Sequence, residues 1–349
     1  MSRPLFILDD QTHYFNGHLR SSTPQGAEFM RSIDNQIGNL FGKVGSFKLG
    51  HQTPEMYVDK VFHETATTMG GLNPVGFMDF FGGKMLGNMD NYAKFSDQYR
   101  DRMVLFGYVN PLDGEKALEQ IEYQIKNFNV KGFKFYNTDP RGPTRGWKCD
   151  DRKVAYPVWE KLVQTGIKVA SIHKGLSQGS TYYRYLADPL DIDAAAGDFP
   201  ELNFFCYHAS YPEVEKSAMI AAVHDNFYVD MGPPISSVAA RRPLEFDELM
   251  TRFLKIAPPR KMSWGTDQIL IDGVQDAIEA FWKWNVPRDA QKKWGIKPLT
   301  EEDKRAMFGE TLGTIMGLDI KGILKRTGKD GFAKGQTPRV KRFSAMFND

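Results

Sequence analysis

The stretch LFILDDQTH, residues 5–13, is an apolar run that ends abruptly in side chains able to bind a metal ion. A buried strand that delivers polar groups at its carboxyl end is typical of an α/β barrel, which keeps its active site there. Because side chains alternate along an extended strand, Asp9, Gln11 and His13 are predicted to share one face, with Asp10 directed outward. The fold prediction then depends on whether similar strands follow.

The composition is that of an ordinary globular protein. Of the 349 residues, 41% are hydrophobic, and 45 Lys and Arg residues nearly balance 43 Asp and Glu residues. Such a balance gives no general attraction to nucleic acid or to an anionic membrane, so we expect a small-molecule substrate as the partner. Aromatic residues make up 13% of the chain; core packing is the simpler explanation for most of them, and some are expected to line an apolar or aromatic pocket.

Cysteine content and the N-terminus indicate a cytoplasmic protein. Cys149 and Cys206 are too few for a disulfide framework or a cysteine-rich zinc site. The sequence passes from Met1 almost directly into the first apolar run, without the pattern of a signal peptide or an apolar segment of spanning length. We therefore predict a cytoplasmic location.

Short apolar runs alternate with helical patterns after the opening strand. Further strands are predicted at residues 66–72, 103–109, 130–136, 167–172, 202–207, 226–231 and 261–265. Helices are predicted at residues 54–64, 91–99, 114–128, 153–164, 189–196, 211–224, 243–256 and 274–284. Strands that alternate with helices form parallel sheets, and eight such units favour closure into an α/β fold of the (β/α)8 TIM barrel type.

Residues 1–318 are predicted to form this barrel, with additions at both ends. Residues 14–53 lack periodicity and are predicted to form a long loop that folds over the site as a lid. A last helix is expected at residues 301–317. Residues 319–349 form a basic, Gly-rich C-terminal extension, which is open to three interpretations: a solvated tail, an oligomer arm around a neighbouring subunit, or a nucleic-acid-binding tail.

Ionisable or ligating residues follow four of the predicted strands at the same end of the barrel. The first strand contributes Asp9, Gln11 and His13, and the fifth, sixth and eighth end in His173, His208 and Asp267. Taken singly, each has a structural explanation, since a histidine after a strand often only makes a hydrogen bond and an aspartate after Gly-Thr often caps a helix. Because they share one predicted location, a common site is the favoured interpretation.

This set of residues predicts a transition-metal site. Imidazole nitrogens and carboxylate oxygens favour zinc, iron, manganese or cobalt over calcium. Such an ion lowers the pKa of bound water to about 7 and polarises a carbonyl group. A carboxylate beside the water can then move its proton, and Asp267 is the candidate for this role.

The order and spacing of these residues resemble the amidohydrolase superfamily, in particular the amidohydrolase-related branch that includes aminocarboxymuconate semialdehyde and hydroxybenzoate decarboxylases. The resemblance rests on residues 9–13, 108–111, 132–134, 173, 199–208, 265–267 and 308–312. It implies a site with one or two metal ions in which His13, His173 and Asp267 are ligands. His208 would bind a second metal in binuclear members, or handle a proton or polarise the substrate in mononuclear ones.

Two positions need separate treatment within this resemblance. Gln11 stands where the family usually has His or Glu, and because an amide oxygen is a weak neutral ligand, Asp9 could compensate from the same strand face. Lys134, on the fourth strand, stands where binuclear members carry a carboxylated lysine that bridges two metals; a lysine hydrogen-bonded at the strand end is the simpler explanation. Tyr136 and His63 are further candidates near the metal.

Three functions are consistent with the sequence. The first is hydrolysis of an amide, ester or thioester of an apolar or aromatic small molecule by metal-activated hydroxide, with Asp267, His208 and Lys134 as catalytic residues. The second is metal-dependent nonoxidative decarboxylation of an aromatic or unsaturated acid, in which the metal orients the substrate carboxylate and an acid group protonates the ring carbon. For any of these substrates, Arg145 or Lys174 are candidates to hold a carboxylate. The third is a non-catalytic binding barrel, which Gln11 alone supports. The resemblance also implies a homodimer.

Overall fold

The computed structural model describes residues 3–41, 50–76, 78–139, 146–176, 183–268 and 270–347. Its strands lie parallel in a single eight-stranded sheet, in chain order. They are β1 (Leu8–Thr12), β2 (Met69–Leu72), β3 (Met103–Tyr108), β4 (Gly132–Tyr136), β5 (Val169–His173), β6 (Asn203–Tyr207), β7 (Phe227–Asp230) and β8 (Met262–Ser263). The sheet closes because Asp10 N donates to Trp264 O at 3.1 Å and Thr12 forms a parallel bridge with Gln268. The predicted TIM barrel is confirmed.

The period-two alternation of the strands separates two cores. In β6, Phe204 and Cys206 belong to the large core between strands and helices, whereas Phe205 and Tyr207 belong to a second core inside the barrel. Leu312 belongs to this inner core and extends it toward the amino-terminal face. The interior of the barrel is therefore apolar toward the amino-terminal ends of the strands, and the polar side chains of the strands lie toward their carboxyl ends.

Helices occur in each segment where the periodicity predicts one, and further helices occur outside these segments. They are α1 (Pro24–Phe41), α2 (Pro54–Val58), α3 (Met89–Gln98), α4 (Glu115–Phe128), α5 (Tyr156–Gln164), α6 (Leu190–Asp198), α7 (Val214–Val223), α8 (Gly232–Ser236), α9 (Val238–Arg241), α10 (Pro243–Leu254), α11 (Val274–Lys283), α12 (Arg288–Trp294), α13 (Glu301–Arg305), α14 (Thr311–Ile315), α15 (Ile320–Thr327), α16 (Gly331–Gly335) and α17 (Pro338–Ala345). Among the described residues, no helix is both long and apolar enough to cross a membrane.

The helix predicted at residues 301–317 is interrupted at its centre. It starts at α13 with a capping box between Thr300 and Asp303, and a π-helical turn at Ala306–Glu310 separates α13 from α14. Gly309 in this turn has φ +145°, and a Cβ there would lie 2.6 Å from Leu8 Cβ. The interruption lets the backbone approach β1 closely, which only glycine permits.

Residues 14–53 are not the long loop that was predicted. They contain the 18-residue helix α1, which packs through Phe29 against Phe80 with ring centroids 4.6 Å apart. The Gly, Asn, Ser and Gln residues of this segment obscure its helical pattern, and tertiary packing outweighs their weak propensity. Residues 42–49 of the predicted lid lie outside the described part of the chain.

The C-terminal extension is also not a solvated tail. Helices α15–α17 pack on this chain's own barrel, with Val340, Phe343 and Phe347 each at most 5% exposed. Arg102, which follows α3, donates to Asp330 at 2.7 and 2.8 Å and so joins the extension to the barrel. These helices are short and basic on their outer sides. Because lysines alternate with the apolar residues, the sequence pattern does not indicate which face is buried.

Candidate active site

Side chains from β1 and from the segment after β8 meet at the carboxyl end of the barrel. His13 Nε2 lies 2.8 Å from Asp267 Oδ1, and Gln11 Nε2 donates to the same oxygen at 2.8 Å. His13 is almost fully buried, whereas the Asp267 side chain is 17% exposed. Asp267 is thus the part of this cluster that faces the solvent.

Two further histidines complete the cluster. His208, directly after β6, has its Nε2 atom 3.3 Å from Nδ1 of His173 at the end of β5. The same His208 Nε2 lies 3.5 Å from Gln11 Nε2, which connects the two histidines to Gln11 and Asp267. The structure therefore brings together Gln11, His13, His173, His208 and Asp267, five of the residues predicted from sequence.

The backbone at these positions adopts an unusual conformation. His208, Ala209, Ser210 and Asp267 all have positive φ, between +44° and +62°. Non-glycine residues in this region cost on the order of 1–3 kcal/mol each and persist where the surrounding structure holds them, often at active sites. The chain thus turns sharply at two strand ends that carry candidate residues.

Asp9 does not join the cluster, contrary to the predicted alternation. Asp9 lies two residues after Ile7, on the side of β1 that faces the outer core, and the register shift between Asp9 and Thr12 places Gln11 and His13 out of this alternation. Asp9 instead accepts hydrogen bonds from the backbone N–H groups of Gln11 and Thr266 and from the Thr266 hydroxyl. Burial raises the pKa of Asp9 to about 8. A carboxyl group that is neutral and already bonded is poorly suited to bind a metal.

Asp10, which was predicted to point outward, lies inside the barrel beside Asp230 at the end of β7. A Cβ on Gly265 would lie 2.5 Å from Asp10 Oδ1 and 1.7 Å from Asp230 Oδ2, so both oxygens face the same point. Burial and then the neighbouring Asp230 raise the pKa of Asp10 well above its usual range, and burial raises the pKa of Asp230 to about 6. The two carboxyl groups therefore share a proton at neutral pH.

Asp230 was missed by the sequence reasoning. Its carboxylate accepts a hydrogen bond from the backbone N–H of His208 at 3.2 Å, which links β7 to the turn after β6. The sequence did contain an indication of this position. The predicted strand at residues 226–231 has an aspartate at its carboxyl end, and the eighth strand is likewise followed by one.

Lys134 on β4 lies inside the barrel, on the amino-terminal side of the histidine and aspartate cluster. Its amine is fully buried, has no hydrogen-bond partner among the described residues, and lies 3.3 Å from the centroid of the Tyr207 ring. Burial lowers the pKa of Lys134 to about 7. The expectation that its head is hydrogen-bonded at the strand end is therefore wrong, and the amine is partly uncharged at neutral pH.

The hydrogen-bond partners of two histidines determine which ring nitrogens carry lone pairs. His13 Nδ1 donates to Asn73 O at 2.7 Å and His173 Nε2 donates to Leu176 O at 2.9 Å, because carbonyl oxygens only accept. Burial lowers the pKa of His173 well below its usual range, so its Nδ1 bears a lone pair. Since His13 Nδ1 is held by Asn73 O, Nε2 is the nitrogen of His13 that faces Asp267 Oδ1.

This donor set fits a transition-metal ion. Ligand atoms bound at about 2.0–2.2 Å from one ion lie roughly 3 Å or more apart, close to the 2.8 Å between His13 Nε2 and Asp267 Oδ1. Backbone carbonyls that orient ligating histidines are a usual feature of such sites. Within the described residues, no group of three or more His, Cys, Asp or Glu side chains is arranged so that it could hold a metal ion as it stands. The amide nitrogen of Gln11 lies between the His13–Asp267 pair and the His173–His208 pair.

The structure places the remaining candidates from the sequence analysis in different surroundings. Lys174 is fully buried in an ion pair with Asp191 at 2.6 Å, so its charge is already neutralised. Tyr136 stacks near His173 with ring centroids 5.5 Å apart, as expected of a residue at the site. His63 is paired with the exposed Asp59 at 2.8 Å and adjoins Phe332 of the C-terminal extension, so it is not part of the site. Arg145 lies outside the described residues.

With this geometry established, the family can be stated. Residues 56–311, more than half of the chain, match the amidohydrolase family, and the chain belongs to that family. The expected resemblance is thereby confirmed. The match begins after β1, so the departure at Gln11 lies outside the matched residues.

Comparison with individual proteins extends this result. Protein fluG of Emericella nidulans is 26% identical over 127 residues, which are 36% of this chain and 14% of that protein, so this chain matches only a small part of its length. An uncharacterised TIM-barrel protein from Bordetella bronchiseptica has a TM-score of 0.58 at 16% identity, with 90% of this chain and 100% of that chain covered. At these identities the structural likeness concerns the fold.

Two other solved structures carry metals. An amidohydrolase from Burkholderia multivorans with bound zinc has a TM-score of 0.57 at 12% identity, covering 90% of this chain and 99% of that chain. A 5-carboxyvanillate decarboxylase from Novosphingobium aromaticivorans with bound manganese has a TM-score of 0.54 at 12% identity, covering 90% and 97%. The fold is thus shared by proteins that differ in metal and in name.

Proposed function

We propose that this protein is a metal-dependent hydrolase that cleaves an ester, thioester or amide of an apolar or aromatic small molecule. The observation that carries the proposal is the arrangement of the histidines. Backbone carbonyls hold one nitrogen of His13 and one of His173, which turns His13 Nε2 toward Asp267 and His173 Nδ1 toward His208. His13, His173 and Asp267 would hold the metal. Zinc and manganese, which two proteins of the same fold bind, are the first ions to test.

An apolar cluster beside the site supports the substrate class. It contains Phe15, which lies 5.5 Å from the His13 ring, and Tyr136, which lies 5.5 Å from the His173 ring. Leu270 and Ile271, after β8, belong to the same cluster. Apolar and aromatic walls around a few polar groups are typical of small-molecule sites.

The roles of the side chains follow from their exposure and charge. A bound divalent metal would polarise the scissile carbonyl and acidify water. Asp267, the most accessible group of the cluster, would accept the proton of the attacking water. Burial lowers the pKa of His208 well below its usual range, so a neutral His208 would donate an N–H hydrogen bond to the substrate oxygen.

The state of Lys174 argues against one of the groups that decarboxylation could use. Lys174 is a candidate to hold a substrate carboxylate beside the metal, and Asp191 already neutralises its charge. Decarboxylation is retained as a second candidate because of Lys134, whose buried amine has no partner in the described part of the chain and would attract a carboxylate that reached it.

The test is a substrate panel on metal-free protein reloaded with zinc or manganese, assayed with aryl esters, thioesters, amides and aryl carboxylic acids. We expect hydrolysis that depends on added metal. His173→Ala and Asp267→Ala should each reduce kcat/KM by at least about 10²–10³-fold, because each removes both a ligand and a proton-handling or orienting group. His224→Ala is the matched control, since this partly exposed histidine pairs with Asp193 on the surface.

The outcomes separate the candidates. Loss of activity in His173→Ala and Asp267→Ala but not in His224→Ala supports the assigned site. Release of carbon dioxide from an aryl acid, without hydrolysis of any ester or amide, would establish the second candidate instead. A protein that neither binds a transition metal nor gains activity from one would refute both.

A further inference from the structure

The side-chain amide of Gln11 occupies the centre of the donor cluster. Its nitrogen lies 2.8 Å from Asp267 Oδ1 and 3.5 Å from His208 Nε2. Its oxygen is buried and has no hydrogen-bond partner among the residues that the structure describes. The amide thus directs an N–H group, which carries partial positive charge, toward Asp267 Oδ1, an atom that would otherwise face a metal ion.

The orientation of this amide depends on whether a cation is present. Without one, the N–H group is favoured toward Asp267, because the opposite orientation would set Gln11 Oε1 against the carboxylate, and both are acceptors. With a cation beside Asp267, the preference reverses, since N–H groups repel the cation and the amide oxygen attracts it. The two orientations have nearly the same shape, so the side chain can turn without repacking its neighbours.

We propose that Gln11 is a switch on metal binding. Its N–H group holds Asp267 in the metal-free protein, and the amide turns to present Oε1 when the ion binds to His13, His173 and Asp267. This inference rests on the proposed function. It assigns Gln11 a positioning role, and it makes the metal weakly held and readily exchanged, because each binding event must break the hydrogen bond between Gln11 and Asp267.

Gln11→Glu removes the competing donor and adds a negative charge. We expect Zn²⁺ and Mn²⁺ to bind this variant at least about tenfold more tightly than the wild type, because an anionic oxygen is a stronger ligand than an amide.

The matched control is Gln268→Glu. Gln268 is also buried, with an Oε1 atom that has no hydrogen-bond partner in the described residues, but its nitrogen donates to Lys60 O at 2.7 Å instead of to Asp267. Gln268→Glu therefore reports how an added negative charge nearby affects metal affinity, without removing the hydrogen bond by which Gln11 competes with the metal for Asp267. Calorimetric titration of the metal-free full chain with each ion gives the affinity of the wild type and of both variants.

A direct measurement follows the amide itself. In protein labelled with ¹⁵N at the glutamine side chains, the Gln11 signal is the one lost in Gln11→Glu. We expect this signal to shift on saturation with Zn²⁺ as its hydrogen bond to Asp267 breaks, whereas the Gln268 signal stays in place. These readouts do not depend on knowing the substrate.

The results distinguish the inference from the function on which it rests. If the wild type binds zinc while the Gln11 signal stays fixed, or if Gln11→Glu binds no more tightly than Gln268→Glu, the switch is refuted and the metal function stands. If the wild type binds neither ion but Gln11→Glu does, the proposed function fails and the competition by the amide is supported. If neither protein binds metal, both are refuted.

Discussion

Lys134 and Lys174 are buried to the same extent, near the carboxyl ends of neighbouring strands, yet their surroundings differ completely. Lys174 donates to Asp191 and to Leu186 O, and the attraction of Asp191 outweighs burial and raises its pKa. Lys134 has no hydrogen-bond partner within the described ranges, and burial lowers its pKa to about 7. A buried lysine with a full set of hydrogen bonds holds structure together, whereas one that makes no hydrogen bond is costly and marks a functional position, even where carboxylates attract it, as Asp267, Asp230 and Asp10 attract Lys134.

The largest effect is expected from Lys174→Met. Removing the cation leaves the Asp191 carboxylate buried without its counter-charge, which costs about 3–5 kcal/mol of folding free energy. Urea unfolding followed by circular dichroism measures the loss. The double variant Lys174→Met with Asp191→Asn should recover a large part of it. A single variant as stable as the wild type would show that this pair is not structural.

Lys134→Met should stabilise the protein, in contrast to Lys174→Met. Methionine fills a similar volume and removes an amine that is buried without a hydrogen bond to any described residue, so the free energy of unfolding should increase by about 1–3 kcal/mol at pH 7. Catalysis should fall at the same time, since the amine lies below the proposed site. Lys131→Met, an exposed lysine just before β4, is the control and should change stability by less than about 0.5 kcal/mol. A destabilised Lys134→Met would contradict the comparison.

The stability difference between wild type and Lys134→Met should also depend on pH. The pKa of Lys134 is about 7 in the folded protein and about 10.5 in the unfolded chain. Between these values the unfolded chain binds a proton that the folded protein does not, so the wild type gains stability relative to the variant as the pH rises. The gain should approach about 1.4 kcal/mol per pH unit, measured by urea unfolding at pH 7, 8 and 9. A constant difference would show that Lys134 stays charged.

The contrast between the two lysines also separates what the sequence could predict from what it could not. The barrel and the meeting of His13, His173, His208 and Asp267 follow from strand order, because the carboxyl ends of parallel strands share one face. The inward position of Asp10 continues the alternation of β1, in which Leu8 lies in the inner core and Ile7 in the outer one, whereas the register shift between Asp9 and Thr12 could not be predicted. The partners of the two lysines cannot be predicted from strand order either. Asp191 lies in α6, and no local pattern indicates that it reaches Lys174 and not Lys134.

The smallest effect is expected from Tyr207→Phe, which isolates the aromatic contact of Lys134. The Tyr207 hydroxyl donates to Asp10 O at 2.8 Å, and its ring lies against the Lys134 amine. Removing the hydroxyl should cost about 1 kcal/mol, because Asp10 O keeps a second hydrogen bond from Asn73. The ring remains, so the pH dependence attributed to Lys134 should persist in this variant, as urea unfolding between pH 7 and 9 would establish. If the pH dependence disappears, the hydroxyl and not burial controls the charge of the amine, and the contrast with Lys174 would rest on Tyr207.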